Sequence, residues 1–406
     1  MKQEIDIYKH DERLRSLLAT LKESSVSQKN NDLIFKFYEF ALINGLSKGR
    51  IIKYIEVMLE FGKVTEKDFD LVVKGDVEQF ARYLEERDLS AWTKYTQKVV
   101  IKRFYKWLKG NNEFYPEEVK WMKCRIKRSE MKLPEEGDLI QDKEIETLIN
   151  LADHPRNKAL VSCLYESGCR IGEIATLQIK NVQIDEYGTV IVVQGKTGSR
   201  KIRLVFSTPH LATWIDNHPM RNDKNAPLWI NIGMKHHNRR LEYDAIRMYL
   251  KKLFKKAGIT KKSNPHSFRH ARATCLANHL TEFQMNQYFG WIQGSTMPSV
   301  YVHLSGKEVD GAILELNGLK KSKEEKESIL RPKKCVRCDT INSHQSKFCL
   351  KCGGILDLKT AVELQEAQKE EQVVRSEADQ VMNALLRDPE IKEFLLKKIQ
   401  SNKITT

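Results

Sequence analysis

The sequence has 406 residues, enough for two sizeable domains and a further small module. Its formal net charge of +15 and its pI of about 9.2 favour a polyanionic partner. The chain shows no N-terminal apolar segment and no apolar run long enough to cross a bilayer. These features exclude a membrane partner and predict a cytoplasmic protein.

The N-terminal third predicts a helical domain. Residues 1–24 are polar and charged and are predicted to form an N-terminal arm, and the helical domain spans residues 25–127. Apolar residues recur there at helical spacing, with glycines near the breaks. The predicted helices are 31–43, 47–61, 76–86 and 90–109.

The last of these helices carries a lysine on each turn, at Lys94, Lys98, Lys102 and Lys106. Side chains four residues apart lie on one face of a helix, so the four ammonium groups form a stripe. Taken alone, such a stripe is best interpreted as a solvated helix face. Beside a nucleic-acid site it becomes a candidate contact for backbone phosphates.

Residues 128–137, with Pro134 and mixed charges, are predicted to be a linker. The region 138–320 beyond it is predicted to be mainly helical around a small antiparallel sheet. Two β-branched stretches, 189–193 and 202–206, predict strands, and a glycine-bearing hairpin turn between them carries Lys196.

Two segments place charged side chains at helix starts. Gly168 can end one helix in the left-handed conformation, so that Arg170 begins the next helix and Glu173 lies one turn away, spaced to steady the guanidinium. Farther on, Asn264 and Pro265 fit the cap and first position of another helix.

On that second helix His266, Arg269 and His270 share one face. An arginine and imidazoles near the positive end of a helix dipole suit a phosphate. Trp291 and Tyr301 follow downstream. Singly, each of these residues has an ordinary structural explanation, as an ion pair, a cap or a packing residue, but their joint occurrence in this order favours a phosphate-handling site.

The set resembles the tyrosine recombinases, the family that includes phage integrases and Xer-type resolvases, from about residue 139 to about 307. The matching residues are Arg170 with Glu173, Lys196 on a hairpin, His266-x-x-Arg269, Phe289-Gly290-Trp291 and Tyr301-Val302-His303. The family usually has Leu-Gly-His before the tyrosine, so Trp291 replaces a histidine here. The resemblance implies a mainly α fold with a small antiparallel β-sheet: a helical core-binding domain at 25–127 and an α+β catalytic domain at 138–320.

The chemistry follows from the residue types. A phosphodiester attacked by a phenol gains negative charge on its non-bridging oxygens, which Arg170 and Arg269 can stabilise and to which the Trp291 N–H can donate. Tyr301 is the expected nucleophile and His266 the expected proton acceptor, with His270 in support. A lysine on a mobile turn can protonate the leaving 5′-oxygen, and no catalytic metal is expected.

Lys196 is the lysine assigned to that role, although Lys201 is close by in sequence. A second basic helix is predicted near residues 241–258. Its lysines at Lys251, Lys252 and Lys255, like the stripe at 94–106, are candidate DNA contacts.

Four of the 8 cysteines form a paired CxxC motif: Cys335, Cys338, Cys349 and Cys352. Two such pairs, ten residues apart, suit a closed tetrahedral zinc site, and residues 330–357 are predicted to be a structural zinc ribbon. A redox disulfide pair is disfavoured in an intracellular chain. The basic residues of the ribbon suit nucleic acid, but many ribbons bind protein, and its partner stays open. Residues 358–406 are predicted to form a charged helical tail.

The expected activity is site-specific recombination or integration on double-stranded DNA through a 3′-phosphotyrosine. The protein would act as a homo-oligomer on DNA, a tetramer when two sites are paired. Two rivals remain on the sequence alone. One is a type IB topoisomerase-like nicking-closing enzyme, and the other is a catalytically idle DNA-binding protein of the same fold.

Overall fold

The structure is a computed structural model. It describes residues 5–110, 113–127, 130, 135–234, 237–304, 313–314, 317–319 and 328–402. The chain divides into two compact units, Met1–Leu139 with Arg240–Leu250, and Ile140–Arg239 with Lys251–Thr406. Most of the predicted linker and of the segment 305–327 lies outside the described residues.

The first unit is helical, and the four helices predicted in it are confirmed. Its helices are α1 His10–Lys22, α2 Gln28–Ile43, α3 Lys48–Thr65, α4 Lys74–Glu86, α5 Ala91–Leu108 and the short α6 Glu117–Lys120. The hydroxyls of Ser27 and Ser90 cap α2 and α5 by accepting backbone N–H groups. Stacked and edge-to-face aromatic rings fill the core. The predicted N-terminal arm contains α1, whose Leu14 and Leu21 are buried in this core.

The second unit contains further helices around a three-stranded sheet. These are α7 Asp142–Leu151, α8 Pro155–Ser167, α9 Ile171–Ala175, α10 Thr208–Asp216, α11 Tyr243–Lys256, α12 Pro265–Ala277, α13 Glu282–Phe289 and α14 Met297–Leu304. The first residues of α11, up to Leu250, are grouped with the first unit.

The sheet is antiparallel, with β1 Val182–Asp185, β2 Gly188–Gly195 and β3 Gly198–Leu204 in sequence order. Gly195 pairs with Gly198, so the predicted hairpin is tighter than the sequence suggested and its turn consists of Lys196 and Thr197. At the other end of β3, the Glu166 carboxylate on α8 accepts the backbone N–H groups of Val205, Phe206 and Ser207. This clamp fixes the sheet against α8.

The cysteine-rich segment carries a small two-stranded sheet, β4 Lys333–Lys334 and β5 Ile341–Asn342, followed by the exposed helices α15 Leu358–Leu386 and α16 Pro389–Asn402. It packs on α7, where Oε1 of Glu146 accepts a hydrogen bond from Gln345 at 2.8 Å and lies 2.9 Å from Nε2 of His344. Among the helices of the described residues, none combines the length and apolar character needed to cross a membrane.

Candidate active site

Arg170 stands at the start of α9, as the sequence predicted. Gly168 ends α8 with φ +55°, and Arg170 becomes the N-terminal cap of α9. The Glu173 carboxylate accepts hydrogen bonds from the Arg170 backbone N–H at 2.9 Å and from its Nη1 at 3.1 Å. Glu173 therefore holds both the main chain and the guanidinium of Arg170, which stays about one-third exposed.

Arg269 lies on α12, which begins as predicted, with Pro265 in the first turn and the Asn264 side chain accepting the Ser267 N–H. Arg269 is only 2% exposed, and its guanidinium donates to the carbonyls of Gly168 and Phe289. Arg170 also donates to the Phe289 carbonyl, at 3.5 Å. Two guanidinium groups are thus brought to one backbone oxygen, next to Trp291.

Tyr301 lies on α14 and is almost fully buried. Its hydroxyl oxygen is 2.9 Å from Nδ1 of His270, and its ring stacks on Trp291. His266 lies next to His270, with ring centroids 4.5 Å apart. The imidazole bonded to the phenol is therefore that of His270, whereas the sequence had favoured His266 for this position.

Burial and neighbouring charges shift the pKa values of the site residues in different directions. Burial, aided by the charges of His266 and Arg269, lowers the pKa of His270 to about 4, so this imidazole is neutral at pH 7. Burial and the charges of Arg269 and Arg170 also lower the pKa of His266. Burial, followed by the charge of Arg170, lowers the pKa of Arg269 to about 10, which still leaves it protonated. Burial raises the pKa of Tyr301, although Arg269 opposes this effect.

Lys196 is exposed at the tip of the β2–β3 hairpin. The next residue, Thr197, donates its hydroxyl to the Gly290 carbonyl at 3.3 Å, so the tip lies beside the segment that leads into Trp291. Lys201 falls within β3 and not on the turn. The structure thus places Lys196, of the two lysines, at the tip.

One residue of the site, Arg200, escaped the sequence analysis. Its guanidinium donates to both carboxylate oxygens of Glu173, at 2.9 and 2.8 Å, and its Nε donates to the Tyr288 carbonyl. The sequence placed Arg200 between the two predicted strands, whereas β3 begins at Gly198 and includes it. Glu173 therefore serves two arginines, whereas the sequence suggested one.

The two sets of candidate DNA lysines differ in their surroundings. On α5, Lys94 and Lys98 both pair with Glu85, Lys102 donates to the Met122 carbonyl, and Lys102 and Lys106 lie over the Tyr115 ring. On α11, the side chains of Lys251, Lys252 and Lys255 are exposed. The α5 stripe is thus largely engaged within its own unit.

The four motif cysteines come together as predicted. Their Sγ atoms lie within 4.8 Å of one another, with 3.6 Å between Cys335 and Cys352 and 3.5 Å between Cys338 and Cys349. A metal bound tetrahedrally at about 2.3 Å by four thiolates holds its sulfurs roughly 3.8 Å apart. The cluster is therefore compatible with a bound metal ion.

The fold and the site define a class of protein in which a helical domain with a small sheet gathers two arginines, imidazoles and a buried tyrosine. Residues 138–308 match the phage integrase family. Over this segment the chain is similar to that family, which agrees with the resemblance to tyrosine recombinases inferred from the sequence.

Several named relatives are tyrosine recombinases. XerC of Lactobacillus delbrueckii subsp. bulgaricus is 25% identical over 251 residues, covering 60% of this chain and 79% of the relative. XerC of Bacillus licheniformis is 25% identical over 287 residues, with coverages of 66% and 90%. XerA of Pyrococcus horikoshii is 22% identical over 284 residues, with coverages of 70% and 93%.

Solved structures confirm the fold class. XerH, a site-specific recombinase bound to palindromic difH substrate, aligns with a TM-score of 0.54 and 18% identity over 78% of this chain and 98% of its own. The Tn1549 transposon integrase in complex with circular intermediate DNA aligns with a TM-score of 0.52 and 18% identity, over 70% of this chain and 98% of its own. A lambda integrase dimer bound to a core site aligns with a TM-score of 0.52 and 12% identity, over 71% of this chain and 80% of its own.

Proposed function

We propose that the chain is a site-specific tyrosine recombinase that cuts and rejoins double-stranded DNA through Tyr301. The observation that carries this proposal is the convergence of Arg170 and Arg269 on the Phe289 carbonyl, beside a tyrosine bonded to a neutral histidine. Guanidinium groups fixed before the substrate arrives are suited to stabilise a phosphate that gains charge in the transition state.

The reaction proceeds by two transesterifications. The Tyr301 oxygen attacks the phosphorus, a 3′-phosphotyrosine forms, and the 5′-oxygen leaves as a hydroxyl protonated by Lys196. His270, the imidazole within hydrogen-bond reach of the phenol, accepts the phenolic proton, and His266 lies beside it as a neutral donor to the phosphate. A 5′-hydroxyl from the partner duplex then attacks the phosphotyrosine, so the bond energy is conserved without a nucleotide cofactor.

The partner is DNA, and the active form is a homo-oligomer. Lambda integrase, which has a similar fold, has been solved as a dimer bound to a core site and as a tetramer bound to a Holliday junction. In the same way, two dimers of this chain would hold two DNA sites during strand exchange.

Because the substrate is DNA, we place the protein in the cytoplasm. The exposed lysines of α11 are the stronger candidates for backbone contacts, and those of α5 the weaker.

We further propose that the metal of the cysteine cluster is structural zinc. Four thiolates leave no open coordination position for a substrate or a water molecule. The ion would stabilise a segment too short to hold a hydrophobic core of its own. Catalysis requires no metal in this scheme, since Arg170, Arg269 and Lys196 supply the positive charge.

Covalent trapping tests the proposal. With a nicked suicide substrate, the wild-type chain should give a protein–DNA adduct on a denaturing gel, and Tyr301→Phe should bind DNA but give none. Tyr288→Phe is the matched control, because Tyr288 donates to the Glu166 carbonyl and burial raises its pKa. A normal adduct from Tyr301→Phe, or none from the wild type, would overturn the proposal.

Strand exchange between two marked duplexes then separates a recombinase from a nicking-closing enzyme. A recombinase should yield hybrid products whose formation depends on two sites. If the chain only relaxes supercoiled DNA, as a monomer, the type IB alternative is correct.

A further inference from the structure

We propose that Arg200 is a positioning residue that holds the hairpin tip, and with it Lys196, against the catalytic arginines. The inference rests on the proposed function and extends it to a residue that never needs to touch DNA. It is carried by the contacts of one buried guanidinium.

All three nitrogens of the Arg200 guanidinium have protein partners. Two donate to the two oxygens of Glu173, and the third donates to the Tyr288 carbonyl, three residues before Trp291. The side chain is only 10% exposed, compared with 35% for Arg170. Of the two arginines that share Glu173, Arg200 is therefore the internal one, and Arg170 is the one accessible to a phosphate.

The backbone on both sides of Arg200 closes onto its side chain. A Cβ atom at Gly195 would lie 2.5 Å from Oε1 of Glu173 and 3.1 Å from Nη1 of Arg200. A Cβ atom at Gly290 would lie 2.8 Å from the same Nη1. These glycines immediately precede Lys196 and Trp291, so the guanidinium sets the spacing between two segments that each deliver a residue to the site.

Loss of Arg200 should affect one catalytic step more than the others. Arg200 lies on the hairpin and its hydrogen-bond partners lie on α9 and α13, so its removal detaches the hairpin tip from the arginine cluster. The leaving-group acid should then be misplaced more than the nucleophile. A lysine at this position keeps the charge but cannot bridge both Glu173 oxygens and a carbonyl.

A substrate with sulfur at the bridging 5′ position tests this, because a thiolate departs without a proton. On ordinary DNA, Arg200→Ala and Arg200→Lys should slow single-turnover adduct formation by up to about 10²-fold, a loss that a displacement of about 1 Å in a catalytic group can cause. On the sulfur substrate both should recover most of the rate. Arg203→Ala is the matched control, since Arg203 lies on the same strand in an exposed pair with Asp185, and it should behave like wild type on both substrates.

Lys196→Ala tests the proposed leaving-group acid separately from the proposed role of Arg200. If the sulfur substrate does not rescue Lys196→Ala, Lys196 is not the leaving-group acid and the inference about Arg200 is overturned, whereas the adduct formed by Tyr301 still decides the proposed function. If it rescues Lys196→Ala but leaves both Arg200 variants equally slow on the two substrates, Arg200 does not act through the hairpin and the inference is overturned. Rescue of all three variants supports it.

Discussion

The indole of Trp291 lies nearly parallel to the phenol of Tyr301, with 5.5 Å between ring centroids and 8° between ring planes. The tyrosine is 1% exposed, and its hydroxyl is bonded to His270. Burial raises the pKa of Tyr301, so the phenol is protonated at pH 7. The nucleophile is thus shielded from water in the chain without DNA, and Trp291 is part of the shield.

Removal of the indole should expose the nucleophile. We expect Trp291→Ala to increase nitration of Tyr301 by tetranitromethane in the absence of DNA, measured by peptide mass spectrometry. Tyr187, which is 66% exposed, should react readily in both proteins and serves as the internal standard. Equal and slow nitration of Tyr301 in both proteins would show that the stacking does not protect it.

The two imidazoles should differ in their effect on cleavage. His270→Gln removes the group bonded to the phenol and should slow single-turnover adduct formation by about 10²–10⁴-fold, the usual span for a general base. His266→Gln keeps an N–H donor beside the arginines and should lose less. The opposite order of defects would return the role of proton acceptor to His266.

His270 should also make the free energy of unfolding depend on pH. Its pKa is lowered to about 4 in the folded chain, mainly by burial, and is about 6.5 when unfolded. Between these values the unfolded chain binds the additional proton, so folding stability should fall as the pH drops from about 6.5 towards 4. Urea unfolding at pH 7 and pH 5 should show a smaller loss for His270→Gln than for wild type. His210, with its pKa also lowered to about 4 by burial, contributes in the same direction in both proteins. An identical loss in both proteins would contradict the prediction.

Local sequence signals predicted the helices that carry the site, because capping and left-handed glycines act within a few residues. The Asn264–Pro265 start of α12 and the Gly168 end of α8 are the clearest cases. Contacts between distant segments were not predictable in this way. The bond from His270 to Tyr301 spans 31 residues, and that from Arg200 to Glu173 spans 27. Only packing of several elements decides which neighbour fills such a position.

The lysine stripe of α5 illustrates the same limit. Its spacing was visible in the sequence, but Glu85, which pairs with Lys94 and Lys98, comes from α4. On the same helix Trp92 is 58% exposed, whereas the buried face of α5 carries Ile101 and Phe104. Helical periodicity gives faces but does not fix which neighbouring charges oppose them.

Salt dependence should rank the two lysine sets. On duplex DNA, removal of one lysine that binds a phosphate should reduce the slope of log affinity against log salt by about 0.9. We expect Lys251→Gln, Lys252→Gln and Lys255→Gln together to flatten the slope measured by fluorescence anisotropy. The matched triple change at Lys94, Lys98 and Lys102 should change it less. A larger effect from the α5 set would reverse the assignment.

Metal content tests the cysteine cluster. Purified protein should contain about one zinc per chain, and Cys349→Ser should lose it. Because metal binding and folding are coupled, limited proteolysis should then cut the segment after Arg331 while the catalytic region survives. Cys124→Ser, outside the cluster, should keep its zinc. Zinc-free wild-type protein, with four thiols that react freely, would exclude a metal site.

The hydrogen bonds that Glu146 forms with His344 and Gln345 fix the position of the cysteine-rich segment on α7. A recruiting module on a flexible tether raises the local concentration of its partner throughout the volume that the tether sweeps. A module docked on α7 offers its partner at one position relative to the catalytic region. Selection by this segment would then depend on the geometry of the partner as well as its affinity, and a partner of the wrong length or angle would be bound without being brought to Tyr301.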